Sequence, residues 1–563
     1  MDFLVQPKNR TQGLSPNSNF RLPPLDGSLT PAQIYDWHYE NNPHHPVFVY
    51  ADDLTGELRY RRYSDVVPAI HRAGRYVAKE VGVDLDGDPR TYPAVAILAL
   101  SDTITFHTTL VGMMRAEIPV ATISPRLAPN VVAHLLKETK ATHILVSSEK
   151  LVRDTALEAL SILRRQGSEA VHLVSMPTYQ HLYGGGRTFE GLPRRTGDFG
   201  APTIIVHSSG STSLPKPIRW NARHDLQLGI APWYGEHDFC NQIFACHAVE
   251  LFHGLGLCML FWVISTGLII GALPPSEPAI VPSPERIFNG LLATEPAYTL
   301  VATKYIQEWA LDPAKVDFLK TLKGLCYAGT HLNKAIGDYL VKEGVHIYTV
   351  FGSSEGGCIG MFFPNDVGED WEYIAINPHN TATLIPREDG THEMFILGKP
   401  HMELCVKNTK VLGFDAYATN DLFEAHPTRP GFWRILGRAD DQIMLSTGET
   451  INPTTLEGIL SQHPYVAGAV MFGRNRPRPG VIIEPKPEFA FDPEDSGRRA
   501  DFIEDIWSKI EEMNYLAEKH AQISQKMVIV ASPSKPFVYT NKGLPRRPVV
   551  LQTYLTEMDT LYR

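Results

Sequence analysis

The sequence lacks the features that mark secreted and membrane proteins. Residues 1–7 contain no basic segment followed by a long apolar run, so no secretory signal is predicted. The most apolar stretch, residues 251–273, is interrupted by His253, Ser265 and glycines, which favours a buried helix and strand over a membrane span. Residues 559–563 carry no peroxisomal or prenylation signal. We therefore expect a cytoplasmic protein with no membrane partner.

Cysteine is scarce, and positive charge is not in excess. The 563 residues include six cysteines and no Cys-x-x-Cys pair, so reduced, buried thiols are expected rather than a disulfide framework or a zinc site. The formal net charge of −10 disfavours nucleic acid as a main partner, because nucleic acid needs a basic face. A chain of this length is expected to form two or more domains.

Strand-like and helical runs alternate over the first part of the chain. Residues 1–30 are rich in Pro, Asn and Ser and are predicted to form a poorly ordered arm. Strands are then predicted at 92–100, 118–123 and 142–147, with an amphipathic helix at 104–115. This alternation indicates an α/β fold with a parallel sheet, in which ligands bind beyond the carboxyl ends of the strands.

One loop has the composition of an anion site. The apolar strand Pro202–Val206 is followed at 207–216 by His-Ser-Ser-Gly-Ser-Thr-Ser-Leu-Pro-Lys. Hydroxyl side chains, backbone N–H groups and a lysine can surround phosphate oxygens. The loop is not of the G-x-x-x-x-G-K-[ST] kind, since it has one Gly and no Gly-Lys-Ser/Thr. A polar surface loop is the alternative that this segment alone leaves open.

Further segments place single polar residues in apolar or Gly-rich surroundings. Each of them, taken singly, has an ordinary structural explanation, such as a core histidine or an Asn-Asp pair in a turn. They are Glu250–Gly256 with His253, Tyr327–Leu332, Val350–Gly357 with Glu355, Tyr417–Asp421 in an expected turn, Gly437–Asp441 and Thr447–Glu457.

Taken in chain order, these segments resemble the motifs of the adenylate-forming superfamily. This family includes acyl-CoA synthetases, luciferases and the adenylation domains of peptide synthetases. The resemblance extends from about residue 30 to residue 547, and the loop matches the family's phosphate loop with Ser213 where Gly is usual. Ser124–Arg126, Thr419–Glu424 and Lys542–Gly543 are most similar to the adenylation domains of fungal carboxylic acid reductases.

The resemblance implies an ATP site. The loop with Lys216 would hold the β- and γ-phosphates, and Glu355 would bind Mg²⁺, which prefers oxygen ligands. Ser354 would lie near the α-phosphate, Asp421 would bind both ribose hydroxyls, and Arg438 would contact ribose or phosphate. The remaining implied nucleotide contacts are Ser208, Ser209, Gly210, Ser211 and Thr212 in the loop, and Gly329, Thr330 and Phe351 beside the adenine.

The implied reaction is attack of a carboxylate oxygen on the α-phosphorus, giving an acyl-adenylate and pyrophosphate. Two anions must meet, so catalysis rests on charge neutralisation and in-line positioning. Lys542 is expected to bridge the substrate carboxylate and the α-phosphate, although the family usually has Gly-Lys followed by an apolar residue and here Gly follows the lysine. Lys535 is the alternative lysine, and a solvated basic tail is the alternative explanation of the segment.

The resemblance also implies two domains. Asp440 matches the family's hinge position. Residues 1–439 are predicted to form a large N-terminal adenylation domain with parallel sheets and helices. Residues 440–563 are predicted to form a small, mobile α+β domain that rotates between an adenylating and a thioester-forming pose.

The position of His253 bears on the substrate. Amino-acid-activating relatives carry an Asp there to pair with the α-ammonium group. An aryl or other non-amino carboxylic acid is therefore favoured, and His253 is expected in the pocket and among the catalytic residues. A core position is the alternative, and His247 has the same two possibilities.

No carrier segment with a phosphopantetheine serine is visible, and no reductase with a Gly-rich dinucleotide fingerprint follows. We expect thioester transfer to the phosphopantetheine of a carrier domain which, like the reductase domain, is absent from this chain. A stand-alone ligase using coenzyme A and a catalytically silent nucleotide-binding homologue are the alternatives.

Overall fold

The computed structural model describes residues 10–15, 19–207, 214–329, 332–365, 367–447, 449–540 and 543–562. The described residues form two compact units. The first contains those between 10 and 207, between 215 and 383, and at 395–418. The second contains residue 214, residues 384–394 and those between 419 and 562.

The helices of the described residues are, in chain order, α1 (Pro31–Asn41), α2 (Tyr63–Glu80), α3 (Thr103–Arg115), α4 (Pro129–Thr139), α5 (Lys150–Arg165), α6 (Tyr179–Tyr183), α7 (Ala222–Ile230), α8 (Gly254–Thr266), α9 (Pro284–Thr294), α10 (Thr303–Trp309), α11 (Pro313–Leu319), α12 (Lys334–Lys342), α13 (Pro453–Leu460), α14 (Ser496–Leu516), α15 (Arg547–Thr553) and α16 (Leu555–Leu561).

The strands are β1 (Pro46–Ala51), β2 (Leu58–Arg62), β3 (Ala94–Leu98), β4 (Val120–Ile123), β5 (Ala141–Val146), β6 (His172–Ser175), β7 (Pro202–His207), β8 (Pro217–Asn221), β9 (Ile243–Ala245), β10 (Ile269–Gly271), β11 (Tyr298–Val301), β12 (Gly324–Ala328), β13 (Ile347–Val350), β14 (Gly352–Ser353), β15 (Gly357–Cys358), β16 (Tyr373–Ala375), β17 (Ala382–Pro386), β18 (His392–Leu397), β19 (Thr409–Val411), β20 (Phe414–Ala425), β21 (Phe432–Arg438), β22 (Ile443–Met444), β23 (Thr450–Ile451), β24 (Val466–Phe472), β25 (Gly480–Pro485) and β26 (Val528–Val530).

Two large, mainly parallel sheets organise the first unit. One has the strand order β6-β5-β3-β4-β7-β8, with neighbouring strands parallel except β7 and β8. The other has the order β13-β12-β11-β9-β10-β1-β2, with only β1 and β2 antiparallel among its described pairs. The predicted α/β fold is confirmed, and β3, β4, β5 and α3 lie within two residues of their predicted bounds.

The apolar stretch at 251–273 forms a buried helix and a strand, as predicted. Helix α8 is buried almost all round, with Trp262 and Val263 fully inaccessible, and ends at Gly267 in the left-handed conformation (φ 75°). Strand β10 follows inside the sheet. Among the described residues no helix is long and apolar enough to cross a membrane. No disulfide joins the six cysteines, all of which lie in the described residues, and four of them are buried.

The prediction of a poorly ordered N-terminal arm is wrong for residues 11–13. The Gln12 side chain is fully buried, and its amide donates to the carbonyl oxygens of Pro232 and His237 at 3.2 and 2.9 Å. The Thr11 hydroxyl donates to the carbonyl oxygen of Trp233 at 2.7 Å. Partners more than 200 positions along the chain satisfy these polar groups, so local composition could not reveal the contact.

The second unit is α+β, as predicted. Strand β25 lies between β24, which is antiparallel to it, and β26, which is parallel. This sheet and helices α13 and α14 enclose a separate core that includes Met471, Ile482 and Ile510. The hinge at Asp440 and the mobility of this unit stay predictions.

Candidate active site

The predicted phosphate loop connects two adjacent antiparallel strands. Its described ends are His207, the last residue of β7, and Pro217, the first residue of β8, which pair with each other. Lys216 is exposed and immediately precedes β8. The other predicted loop contacts, Ser208, Ser209, Gly210, Ser211 and Thr212, lie outside the described residues.

Ser354 and Glu355 lie in the tight turn between β14 and β15. The backbone N–H of Gly356 donates to the Ser353 hydroxyl at 3.0 Å, and Gly357 takes up the left-handed conformation (φ 71°) that closes the turn. The Trp220 indole N–H donates to the Ser354 carbonyl oxygen at 2.8 Å. Both predicted side chains are half-buried, so the turn presents a hydroxyl and a carboxylate on a fixed backbone.

The N-terminus of α8 lies against Ser354. A Cβ atom added to Gly254 would be 2.8 Å from the Ser354 Oγ, so any larger residue at this position would displace the hydroxyl. His253 occupies the N-cap position without a side-chain capping bond. Because the first N–H groups of a helix have no partner within it, they and the Ser354 hydroxyl together suit a phosphate group.

His253 belongs to a charged cluster beside His207, the last residue of β7. The Glu250 carboxylate forms an ion pair with the guanidinium of Arg126, a residue that follows β4. The Oε2 atom of the same carboxylate lies 3.4 Å from the His253 Nε2. Burial raises the pKa of Glu250, but His253 and Arg126 together outweigh it and lower the pKa below its usual value. The His253 ring packs edge-on against His207, with ring centroids 6.2 Å apart.

Glu250 was absent from the predicted site. In the sequence, Glu250 is marked only by its position three residues before His253. Its ion pair with Arg126, which is distant in the chain, is seen only in the structure. His247, by contrast, is buried, and among the described residues neither of its ring nitrogens has a hydrogen-bond partner.

Gly329 and Phe351 come from neighbouring strands. They follow β12 and β13, which are parallel and pair Ala328 with Val350. Gly329 is in the left-handed conformation (φ 84°), and the Phe351 carbonyl oxygen accepts from Ile359 and Gly360. The structure thus brings these two predicted adenine contacts to the same sheet edge. Thr330, the third, lies outside the described residues.

Asp421 and Arg438 lie in the second unit, directly opposite each other on antiparallel strands β20 and β21. The predicted turn at Asn420-Asp421 is wrong, because both residues lie inside β20. Asn420 takes a left-handed conformation (φ 60°) within the strand. Asn tolerates that conformation better than most residues, and the same property makes Asn-Asp typical of turns.

Asp440 holds the Arg438 side chain. The guanidinium makes a two-point contact with the carboxylate, from Nε to Oδ1 at 2.9 Å and from Nη2 to Oδ2 at 3.0 Å. Burial lowers the pKa of Arg438, but Asp440, Asp421 and Asp441 outweigh it and raise the pKa above its usual value. Arg438 therefore stays charged in an acidic environment.

Lys542 lies outside the described residues, which resume at Gly543 after Thr540. The Thr540 N–H donates to the Leu544 carbonyl oxygen at 2.7 Å. Lys535, the alternative, forms an exposed ion pair with Glu557 at 2.6 Å.

The acidic residues fit a magnesium ion held chiefly by phosphate. No group of three or more His, Cys, Asp or Glu side chains in the described part of the chain is arranged to hold a metal. Glu355 offers a single half-buried carboxylate. Mg²⁺ is usually bound by one or two carboxylates together with substrate phosphates and water, so one carboxylate is compatible with it.

Comparison with known families matches nearly the whole chain. A sequence model described as AMP-binding enzyme matches residues 35–411, and one described as AMP-binding enzyme C-terminal domain matches residues 440–563. The chain belongs to the AMP-binding enzyme family. The predicted resemblance to adenylate-forming enzymes is thereby confirmed.

This AMP-binding enzyme is similar to fungal reductases. It is 37% identical over 554 residues to adenylate-forming reductase Nps10 of Heterobasidion annosum, covering 97% of the chain and 51% of that protein. It is 26% identical over 526 residues to a carboxylic acid reductase of Neurospora crassa, covering 89% of the chain and 47% of that protein. The chain thus spans about half the length of these curated relatives.

Solved structures share the fold. The adenylation domain of a carboxylic acid reductase from Segniliparus rugosus, solved with AMP and a carboxylic acid, superposes with a TM-score of 0.68 at 13% identity, covering 96% of both chains. The anthranilate CoA ligase AuaEII, solved with anthranoyl-AMP, gives a TM-score of 0.67 at 17% identity, covering 96% of this chain and 98% of that one. The AMP-binding enzyme therefore has the fold of an adenylate-forming domain.

Proposed function

We propose that this chain activates a carboxylic acid with ATP and passes the acyl group to the phosphopantetheine thiol of a carrier domain, as the adenylation domain of a carboxylic acid reductase does. Family membership supports the first step. The observation that carries the proposal is the uncapped N-terminus of α8, which lies against Ser354 and follows His253 beside the end of β7. Helix N–H groups and a hydroxyl suit a phosphate group of ATP.

In the first step a substrate carboxylate oxygen attacks the α-phosphorus, and the bond from that phosphorus to the bridging oxygen of pyrophosphate breaks. Glu355 would hold Mg²⁺, which neutralises phosphate charge, and Lys542 would neutralise the approaching carboxylate. The remaining proposed contacts are residues 208–212 and Lys216 with the β- and γ-phosphates, Ser354 with the α-phosphate, Gly329, Thr330 and Phe351 with adenine, and Asp421 and Arg438 with ribose.

We propose that the acid is aryl and carries no α-amino group. An α-ammonium substrate needs a carboxylate partner near His253. Glu250 is the carboxylate at that place, and it already pairs with Arg126 and lies beside His253. Binding an ammonium group there would break an existing ion pair, which favours a substrate without that charge.

Carboxylate-dependent exchange of labelled pyrophosphate into ATP tests the first step. The panel should contain benzoic acids, aliphatic acids and amino acids, with Mg²⁺ present and then removed by a chelator. We expect exchange with at least one aryl acid, none with amino acids, and loss of exchange without Mg²⁺. A chain that exchanges with no acid would be a silent nucleotide-binding homologue.

The second step is tested by offering the activated acid two thiols. One is a phosphopantetheinylated carrier domain from a fungal adenylate-forming reductase, and the other is coenzyme A. We expect the acyl group on the carrier. Efficient thioester formation with coenzyme A alone would instead identify a stand-alone ligase.

A further inference from the structure

The residues on either side of Lys542 form a short hairpin in the second unit. The Arg546 N–H donates to the Val538 carbonyl oxygen and the Thr540 N–H to the Leu544 carbonyl oxygen, both at 2.7 Å. Tyr539 and Pro545 form an antiparallel bridge between the two arms. In the sequence, Lys542 falls between these two arms, and it lies outside the described residues.

Glu484, on β25, binds the first arm of this hairpin at two points. Its Oε1 accepts from the Phe537 backbone N–H at 2.6 Å, and its Oε2 accepts from the Tyr539 hydroxyl. Each carboxylate oxygen thus has its own donor on the arm that leads to Lys542. Hydrogen bonds to a charged acceptor are about twice as strong as neutral ones.

Gly468 provides the space for this contact. It lies opposite Glu484 in the β24–β25 register, next to an irregularity in the pairing. A Cβ atom added to Gly468 would be 2.7 Å from the Tyr539 hydroxyl oxygen, 3.3 Å from Pro545 and 3.4 Å from Phe537. Both arms of the hairpin therefore pack on a residue that must lack a side chain.

The Tyr539 hydroxyl is held as a donor. Burial raises its pKa, and the hydrogen bond to Glu484 raises it further. The phenol keeps its proton throughout the physiological range, so the bond to the carboxylate persists.

We propose that Gly468 and Glu484 form a socket that fixes the hairpin carrying Lys542, which makes Glu484 a positioning residue for adenylation. The inference rests on the proposed function, in which Lys542 meets the reacting carboxylate. A lysine side chain is long and freely rotating, so its backbone must be held for the ammonium group to reach one point. Misplacement by about 1 Å can cost about 100-fold in rate.

Three variants weaken the socket in different ways. Glu484→Gln removes the charge, Tyr539→Phe removes one donor, and Gly468→Ala displaces the hydroxyl without changing any charge. Matched controls in the same unit are Glu512→Gln, whose exposed carboxylate pairs with half-buried Lys509 at 2.7 Å, and Tyr562→Phe, whose hydroxyl donates to the Arg478 carbonyl oxygen at 2.8 Å.

Each variant is assayed for pyrophosphate exchange, for thioester formation from a synthetic acyl-adenylate, and for thermal unfolding. We expect Glu484→Gln and Gly468→Ala to lower kcat of exchange at least 10-fold, with the KM for ATP within twofold of wild type. Thioester formation from the synthetic adenylate should be unchanged, since Lys542 is assigned only to adenylation. Tyr539→Phe should cost less in the Glu484→Gln background than in wild type, because the charge-assisted bond between the two side chains is already weakened there.

The outcomes separate the possibilities. Wild-type exchange rates in both Glu484→Gln and Gly468→Ala would overturn the inference and leave the proposed function intact. A parallel fall of both half-reactions with a lowered unfolding temperature would show a purely structural role and would also overturn it. An absence of exchange in the wild-type chain would overturn the proposed function and the inference together.

Discussion

Asp225 is a fully buried acid on α7. Its Oδ2 accepts from the Thr203 hydroxyl at 2.6 Å, and its Oδ1 has no hydrogen-bond partner in the part of the chain that the structure describes. Burial raises its pKa from 3.8 to about 8. The neutral acid is therefore the form that the folded chain favours at neutral pH, whereas the unfolded chain ionises.

This difference predicts a pH-dependent loss of stability. The contribution of Asp225 is fully present below about pH 4 and is lost as pH rises towards 8, because the folded state retains a proton that the unfolded state releases. Asp225→Asn removes this titration, so its free energy of unfolding relative to wild type should rise between pH 5 and 8, by at most about 1.4 kcal/mol per pH unit. Denaturant unfolding at several pH values measures the difference. Exposed Asp154→Asn is the control, and equal slopes in Asp225→Asn and wild type would contradict the assignment.

The two candidate lysines make opposite predictions. Lys542→Ala should abolish adenylate formation, because no other charge is assigned to neutralise the attacking carboxylate. Lys535→Ala should retain exchange, since Lys535 is engaged in an exposed ion pair with Glu557. Single-turnover pyrophosphate release is the measurement. Unchanged release by Lys542→Ala would remove that residue from the mechanism, and loss of release in Lys535→Ala would transfer the role to it.

Helix α8 shows how one element builds a site from close backbone approach. A Cβ atom on Gly256 would lie 2.2 Å from the Glu250 carbonyl oxygen, and one on Gly254 would lie 2.8 Å from the Ser354 Oγ. The two glycines let the loop with Glu250 and the turn with Ser354 pack on the first turn of the helix. Larger residues at either place would force these neighbours to move.

Gly254→Ala should therefore impair adenylation more than folding. The added methyl group displaces a side-chain hydroxyl, which can rotate away, so we expect exchange to fall about 10-fold while stability drops by less than about 1.5 kcal/mol. Gly458→Ala is the matched control, because this helical glycine has open space around it. It should retain exchange and gain about 0.5–1 kcal/mol of stability. Equal exchange rates in the two variants would argue against a role of the α8 N-terminus.

At the scale of the molecule, the chain consists of two units with separate cores. The C-terminal family match begins at Asp440, the predicted hinge residue. Asp440 also holds Arg438, a proposed nucleotide contact, through its carboxylate. Asp440 is therefore both the ion-pair partner of a proposed nucleotide contact and the proposed hinge residue.

Asp440→Pro should impair thioester formation while adenylating as well as Asp440→Ala, because both variants lose the ion pair with Arg438 and only proline restricts the φ angle that a hinge must change. Asp440→Ala loses the ion pair with Arg438 but keeps backbone freedom, so it should retain thioester formation. Pyrophosphate exchange and acyl transfer to a carrier domain measure the two half-reactions. Equal loss of both half-reactions in Asp440→Pro would contradict the hinge.

The sequence by itself determined the family and the α/β alternation. The α/β alternation depends on local information, since the hydrophobic periods of β3, α3 and β4 are set by neighbouring residues. The family could be recognised because its motifs occur in a specific order along the chain. The Gly-rich segment with a lone carboxylate at Glu355 stood out in the sequence for the same reason. Composition and charge excluded broad classes of partner but specified no contact.

Only the tertiary structure decided which distant residues meet. Glu250 owes its role to Arg126, and Glu484 owes its role to Tyr539 and to the space left by Gly468. These partners lie far apart in the chain, and a single Glu, Tyr or Gly occurs in too many structural roles for its function to be predicted from the sequence. Asn420 is a further example. Its left-handed conformation is typical of a turn when the local sequence is considered alone, but the residue lies in strand β20, where the next residue, Asp421, pairs with Arg438.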